Sequence, residues 1–577
     1  MPATKKAGFA PKRRMNVILL FFCLLFAALA ARLFVLQILS HGQYTALAAK
    51  QHRVMQEIFP RRGTISASDK DGNRHLIAGN RIIKNLAASP VQIPDPNGHA
   101  QKLSAILGIP EDILGQKLNA PSDTYKLIAK AIDEDMAAAV ETLRLEGIFI
   151  EEERRRQYPR GDFAAHLAGF VSKINEREEG RYGLERMYEE QLSGAPGFLE
   201  GAKDSAGFLI ALGKRLLHPP AQGSDLILTI DANIQFKTEQ TLEETIEKWR
   251  APSGIALVME PKTGRILAMS AEPSFDPGEY GKEKDLSVFL NPLVEKQFEF
   301  GSVLKPVTMA AAIEEGVVAP YTTYTDSGSA KIGGYTVKNF DGNAYGTQTM
   351  TEVLEKSLNT GMVFVAGQLG QERHLSFLQK FGLGEKTGID LPGEIGGDIS
   401  NLFNGRAIDF ATASFGQGIA ITPIQLASAI SAIANGGSLM TPYVTERVVH
   451  DDGNGVRREP IIRRQVISAK TSETITKMLV SVVRKGFENR AGVEGYFVAA
   501  KTGTAQIPRS DGRGYDPDRV IHTFVGYAPA FDPKFLILLQ LNEPIGNRFA
   551  SNTLTSAFHD LTEYILNYYE IPPDEKK

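Results

Sequence analysis

The sequence predicts a mixed α/β protein of the α+β type, a sheet with helices packed against it, carried behind one membrane-crossing N-terminal helix. Three observations predict it. Val17 to Ala31 is an unbroken apolar run near the N-terminus. Strand, helix and hairpin patterns follow one another between Gly223 and Met269. A helix start bearing a serine and a lysine three positions apart, Ser302 and Lys305, comes shortly after that hairpin. The 577 residues exceed one ordinary domain, and 43% hydrophobic with 23% charged residues is globular composition. A net charge of −3 implies no nucleic-acid partner, since a binding face leaves a local basic excess. The single cysteine, Cys23, excludes an internal disulfide and a multi-cysteine metal site.

Basic residues are concentrated in one place, where Lys5, Lys6, Lys12, Arg13 and Arg14 precede the apolar run without an acid. The run resumes after Arg32 and continues to Leu39, long enough to cross roughly 30 Å of hydrocarbon, and Arg32 can snorkel to the interface. Cations before the span and no acid after it until Glu57 place the N-terminus in the cytoplasm and the rest of the chain outside. The alternative is a cleaved signal peptide, for which Ala27 to Ala31 offers a small-residue cut site. Residues 1–16 are thus a cytoplasmic tail and 17–39 a transmembrane helix.

From Ser40 to Gln222 the texture alternates, with turn clusters at Asp69–Asn73 and Pro94–Gly98. Helical spacing predicts short helices over Gln101–Leu107 and Ile132–Leu145. His166, among Ala164, Ala165 and Leu167, has the setting of a packing histidine rather than a ligand. Arg61-Arg62-Gly63-Thr64-Ile65 and Gly183-Leu184-Glu185 read by composition as turns without an assigned function.

Gly223 to Asp231 is a strand pattern, and a helix follows from about Ala232 to Lys248. Gly254–Glu260 and Arg265–Met269 form two apolar strands about the turn Pro261-Lys262-Thr263-Gly264. Acyl transfer needs a nucleophile with its base, a proton relay, and a holder for oxyanion and carboxylate. Ser302 with Lys305 supplies the first; Ser302 either acts as the nucleophile or merely caps its helix. Ser357-Leu358-Asn359, after a predicted helix Thr351–Lys356, offers a hydroxyl for a proton and an amide for orientation. Lys501-Thr502-Gly503-Thr504 follows the strand signal Tyr496–Ala500, and a strand ending in a flat glycine lets substrate backbone lie alongside. Lys386-Thr387-Gly388 repeats the tripeptide in loop surroundings, so context favours Lys501.

Ser-x-x-Lys, Ser-x-Asn and Lys-Thr-Gly in that order resemble the penicillin-binding proteins. The chain looks like a class B member, a peptidoglycan D,D-transpeptidase, most similar to the cell-division FtsI type. Further matching stretches are Arg62-Gly63-Thr64-Ile65, Gly183-Leu184-Glu185, Leu228-Thr229-Ile230-Asp231, Phe415-Gly416-Gln417-Gly418, Thr422–Leu426 and Phe524–Pro529. Ser66-Ala67-Ser68 and Phe298-Glu299-Phe300-Gly301 depart from the family pattern without removing a catalytic group.

The resemblance implies a transpeptidase domain over 222–570 with a central antiparallel sheet flanked by helices, as in serine β-lactamases. It also implies an elongated α/β pedestal of the dimerisation type over 40–221, with a tail at 571–577. Ser302 would attack the penultimate D-alanine carbonyl of a stem peptide, with Lys305 as base once burial and Lys501 lower its pKa. Ser357 would pass the proton, Asn359 would orient the substrate amide, and the backbone N–H groups of Ser302 and Thr504 would hold the oxyanion. Thr502 and Thr504, beside Gly503, would bind the terminal carboxylate. No metal or organic cofactor is implied. Expected partners are nascent stem peptides, β-lactams as inhibitors, the membrane, a polytopic glycan polymerase and division proteins. The expected location is the bacterial inner membrane, single-pass, with the catalytic domain on the periplasmic side. The alternatives are an elongation-type transpeptidase, a hydrolytic relative, and a catalytically silent β-lactam-binding scaffold or sensor.

Overall fold

The computed structural model describes residues 11–42, 44, 53–174, 177–202, 216–509 and 514–574. They fall into two compact units, one of residues 1–60 with 195–221 and one of residues 61–194 with 222–577. In the first unit a helix runs from Pro11 to Phe34 and continues as a wider turn over Val35–Leu39. Met15–Leu39 is long and apolar enough to cross a membrane. The same unit holds an antiparallel sheet of Arg53–Ile58, Gly197–Ala202 and Leu216–His218.

The second unit carries two large sheets. Their strands are β1 (Ile65–Ser68), β2 (Arg74–Ala88), β3 (Lys126–Ile132), β4 (Ile148–Gln157), β5 (Asp225–Asp231) and β6 (Ser253–Met259). They continue as β7 (Ile266–Glu272), β8 (Thr445–Val449), β9 (Gly455–Arg457), β10 (Ala499–Pro508), β11 (Tyr515–Ala528) and β12 (Phe535–Asn542). The first sheet has seven strands in the order β9-β8-β5-β1-β2-β3, with β4 also on β2. β1 and β5 are parallel neighbours, with Leu226 opposite Ile65. The expected boundary at 221/222 therefore lies between segments that share one sheet. Ile65, Ala67 and Ile77 are buried in the same core as Leu226, Ile255 and Phe524.

The second sheet is antiparallel, β7-β6-β12-β11-β10, with helices Ala232–Trp249 and Thr555–Tyr568 packed on it. Its inner strands read as continuous buried runs, such as Phe535–Leu541 in β12, because helices cover the sheet. Lys305–Glu314, Asn359–Leu369, Pro423–Ala434 and Ala469–Ser481 form the helical layer on which the site is built.

Several boundaries differ from the sequence expectation. Ile132 ends β3 instead of starting a helix, because Asp133 caps the helix Glu134–Thr142 by accepting the Met136 N–H at 2.7 Å. The helix expected from Gln101 starts at Pro96, where the Asp95 side chain accepts from Gly98. Tyr496–Val498 lie outside any strand; β10 starts at Ala499 and runs through Lys501-Thr502-Gly503-Thr504 rather than ending at the glycine. His166 is buried, its ring facing the Val288 carbonyl at 3.0 Å and the edge of Phe275. Gly183-Leu184-Glu185, expected as a turn, begins the short helix Gly183–Met187, and Glu185 is fully buried between Arg62 (2.7 Å) and Arg156 (2.6 Å) in one ion cluster.

Candidate active site

Ser302 lies in a single 3-10 turn, Gly301–Leu304, that leads into the helix Lys305–Glu314. Pro306 suits that helix start because its missing N–H has no intrahelical partner there. The turn is pressed onto β10. A Cβ on Gly503 would stand 2.4 Å from the Phe300 carbonyl oxygen, so the glycine is required by the nucleophile turn itself. Gly416 has the same reason, since its Cβ would come within 2.2 Å of the Gly301 oxygen, and its carbonyl accepts the Gly301 N–H at 3.0 Å.

Lys305 is fully buried and Lys501 is 2% exposed. The Lys305 Nζ donates to the Ser357 carbonyl, to the Ser357 Oγ at 3.2 Å and to Asn359 Oδ1 at 2.9 Å. The Lys501 Nζ donates to the same Ser357 Oγ at 2.9 Å and to the Thr502 carbonyl at 3.0 Å. All these acceptors are neutral, so no carboxylate offsets the cost of charging either amine. Burial, and then the neighbouring Lys501 cation, push the Lys305 pKa well below the usual lysine value. Burial alone lowers Lys501 to about 7.

Ser357 holds this position at φ 56°, a left-handed conformation uncommon for a residue with a side chain. It sits between the helix Met350–Glu355, closed at its start by the Thr349 and Glu352 capping box, and the helix Asn359–Leu369. That break turns both the carbonyl and the hydroxyl of Ser357 toward the amines. Asn359 also donates from Nδ2 to the Lys338 carbonyl at 3.0 Å, tying it to the strand Tyr335–Lys338.

Ser302, Ser357, Asn359, Lys501, Thr502 and Thr504 line one cleft of about 730 Å³. Thr504 accepts the Ala550 N–H at 3.1 Å, and β10 is the edge strand of its sheet. Lys386 lies elsewhere: it is exposed, while Thr387 and Gly388 close a loop by donating to Glu394. Residues not anticipated from the sequence complete the walls, among them Asn339, Phe340, Tyr515 and Arg548. Tyr515 donates to Glu299 at 2.8 Å, and burial raises the pKa of that carboxyl. The Arg548 guanidinium lies over the Phe340 ring at 5.1 Å. None of these four lies in a motif: Asn339 and Phe340 share the loop after the strand Tyr335–Lys338, Tyr515 opens β11, and Arg548 lies in the loop after β12.

Residues 254–563 match the penicillin binding protein transpeptidase domain, and residues 57–228 match the penicillin-binding protein dimerisation domain. Stage V sporulation protein D of Bacillus subtilis is 33% identical over 541 residues, covering 93% of this chain and 82% of its own length. Peptidoglycan D,D-transpeptidase FtsI of Escherichia coli is 30% identical over 564 residues, covering 96% and 91% of the two chains. The crystal structure of penicillin binding protein 2X from Streptococcus thermophilus has the same fold, with a TM-score of 0.80 at 23% identity, covering 90% of this chain and 81% of that one. Matched over both domains, the chain belongs to the class B penicillin-binding proteins.

Proposed function

We propose that the chain is a membrane-anchored peptidoglycan D,D-transpeptidase that works through an acyl-enzyme on Ser302. The observation that carries this reading is the pair of buried amines sharing the Ser357 hydroxyl in the cleft that Ser302 lines. A relative 30% identical to the chain is named for that activity, which supports the assignment. In the first half-reaction, neutral Lys305 takes the Ser302 proton as Oγ bonds to the carbonyl carbon of the penultimate D-alanine. The tetrahedral oxyanion rests on the backbone N–H groups of Ser302 and Thr504, each such donor being worth about 3 kcal/mol. The C–N bond then breaks, the leaving amine receives a proton through Ser357, and the terminal D-alanine departs. In the second half, an amine from a neighbouring stem gives up its proton along the same path and takes the acyl group, forming the crosslink. Asn359 orients the substrate amide, and Thr502 and Thr504 hold the terminal carboxylate.

The orientation follows from the basic residues before the apolar run. The N-terminus is cytoplasmic, and the catalytic unit works outside the bacterial inner membrane beside a polytopic glycan polymerase and division proteins. A fluorescent penicillin should label the wild-type chain and leave Ser302→Ala unlabelled; equal labelling of both would overturn the assignment. Rapid nitrocefin turnover would replace transfer with hydrolysis. A fluorescent fusion gathering at midcell is expected for a division role, and sidewall placement would mean elongation.

A further inference from the structure

Behind the cleft lies a closed polar network that none of the three motifs includes. We infer that Asn339, held by Asp326, is a positioning residue that sets Asn359 against Lys305. Asn339 is 4% exposed and Asp326 2% exposed. The helix Asn359–Leu369 follows Leu358, whose side chain cannot cap it. Asn339 supplies that cap from the loop after the strand Tyr335–Lys338: its Oδ1 accepts the N–H of Asn359 at 3.0 Å and the N–H of Thr360 at 3.3 Å.

The other end of the Asn339 amide is also fixed. Its Nδ2 donates to Asp326 Oδ2 at 2.9 Å and to the Asn343 carbonyl at 3.1 Å. Asp326 in turn accepts from the Gly328 N–H at 3.0 Å, the Tyr345 N–H at 3.0 Å and the Thr360 hydroxyl at 2.7 Å. The carboxylate is thus oriented wholly by hydrogen bonds, and it fixes which end of the Asn339 amide faces the helix. An acid at position 339 would set like charges side by side; an alanine would leave the helix N–H groups without their acceptor.

The consequence reaches the chemistry through one residue. Asn359 begins the capped helix, and its side chain spans from the Lys305 Nζ to the Lys338 carbonyl on the cleft wall. A helix start free to shift by a fraction of an ångström loses the 2.9 Å contact that orients the Lys305 amine. Asp326 and Asn339 therefore act on the chemistry through Asn359, by fixing backbone.

This inference rests on the transpeptidase reading of the cleft, and a double-mutant cycle on the full-length chain tests it. The rate of Ser302 acylation by fluorescent penicillin is measured for Asn339→Ala, Asn359→Ala and the double variant, from neutral to alkaline pH. Asn339→Ala is expected to acylate at least about tenfold more slowly. Its pH profile should be displaced in the same sense as that of Asn359→Ala, and the double variant should be no slower than Asn359→Ala alone. Effects that multiply, or an Asn339→Ala profile with the wild-type pH dependence, would overturn the role. Should Asn339→Ala lack a cooperative melting transition, the near-isosteric Thr360→Val enters the same cycle with the same two outcomes. Failure of the wild type to label would instead sink the transpeptidase reading.

Discussion

Lys305 and Lys501, both buried, are held on the same acceptor, the Ser357 Oγ, at 3.2 and 2.9 Å. Two ammonium groups sharing one neutral hydroxyl repel each other, and each is cheaper to bury uncharged. Burial has lowered Lys501 to about 7, and the Lys501 cation adds to the burial that lowers Lys305.

The acylation rate should therefore rise with pH and level off well below the ordinary lysine value of 10.5, because the base is lost as pH falls through the lowered pKa of Lys305. Lys501→Met removes a neighbouring positive charge, so the Lys305 pKa rises and the rising limb moves to higher pH. Stopped-flow acylation across pH checks the direction, and a limb moved to lower pH would contradict the coupling. The unfolded chain keeps the Lys501 proton up to 10.5 while the folded one sheds it near 7, so this group makes folding more favourable as pH rises through that window.

Ser357→Gly separates hydroxyl from backbone. Glycine accepts the φ of 56° freely, so the variant should melt no lower than wild type and gain up to about 1 kcal/mol. Its acylation should fall by about 10²-fold or more with the proton path gone. A destabilised but fully active variant would show that the strained serine serves packing instead.

Gly503→Ala forces a methyl to within 2.4 Å of the Phe300 carbonyl. Acylation should drop by about 10²-fold, because the nucleophile turn is pushed off β10. Gly281→Ala, where a Cβ meets nothing within 4 Å, is the control and should acylate at the wild-type rate.

Glu185→Ala leaves the Arg62 and Arg156 guanidinium groups buried without their shared carboxylate. Urea unfolding should show a loss of about 3–5 kcal/mol. The exposed pair Lys477 and Glu473 should cost less than about 1 kcal/mol when broken by Lys477→Ala. Similar losses at the two sites would remove the distinction between a buried cluster and a surface pair.

Legibility differed by the range of the interaction. The motifs at Ser302, Ser357 and Lys501 could be read because each is a short local pattern, and their order carried the resemblance. Strand β5 and the helix Ala232–Trp249 were visible because their apolar spacing is local. Asn339 was not, since its partners Asp326 and Thr360 are brought to it by folding and by no sequence periodicity. The parallel pairing of β1 with β5 was equally silent: Ile65 meets Leu226 with no local signature of either strand's neighbour. The extent of β10 was misjudged because Thr502, Gly503 and Thr504 look like a strand's end until β11 is laid beside them.

The order of the second sheet sets the timing of its assembly. Its central strand, β12, is also its last in sequence, so a chain still being synthesised holds two unfinished ribbons, β7 with β6 and β11 with β10. Until Phe535–Asn542 emerges, β6 and β11 each present an open, apolar edge able to pair with another nascent chain. Premature termination shortly before Phe535 would therefore release an aggregation-prone polypeptide, and cells making this protein have reason to chaperone its final stretch.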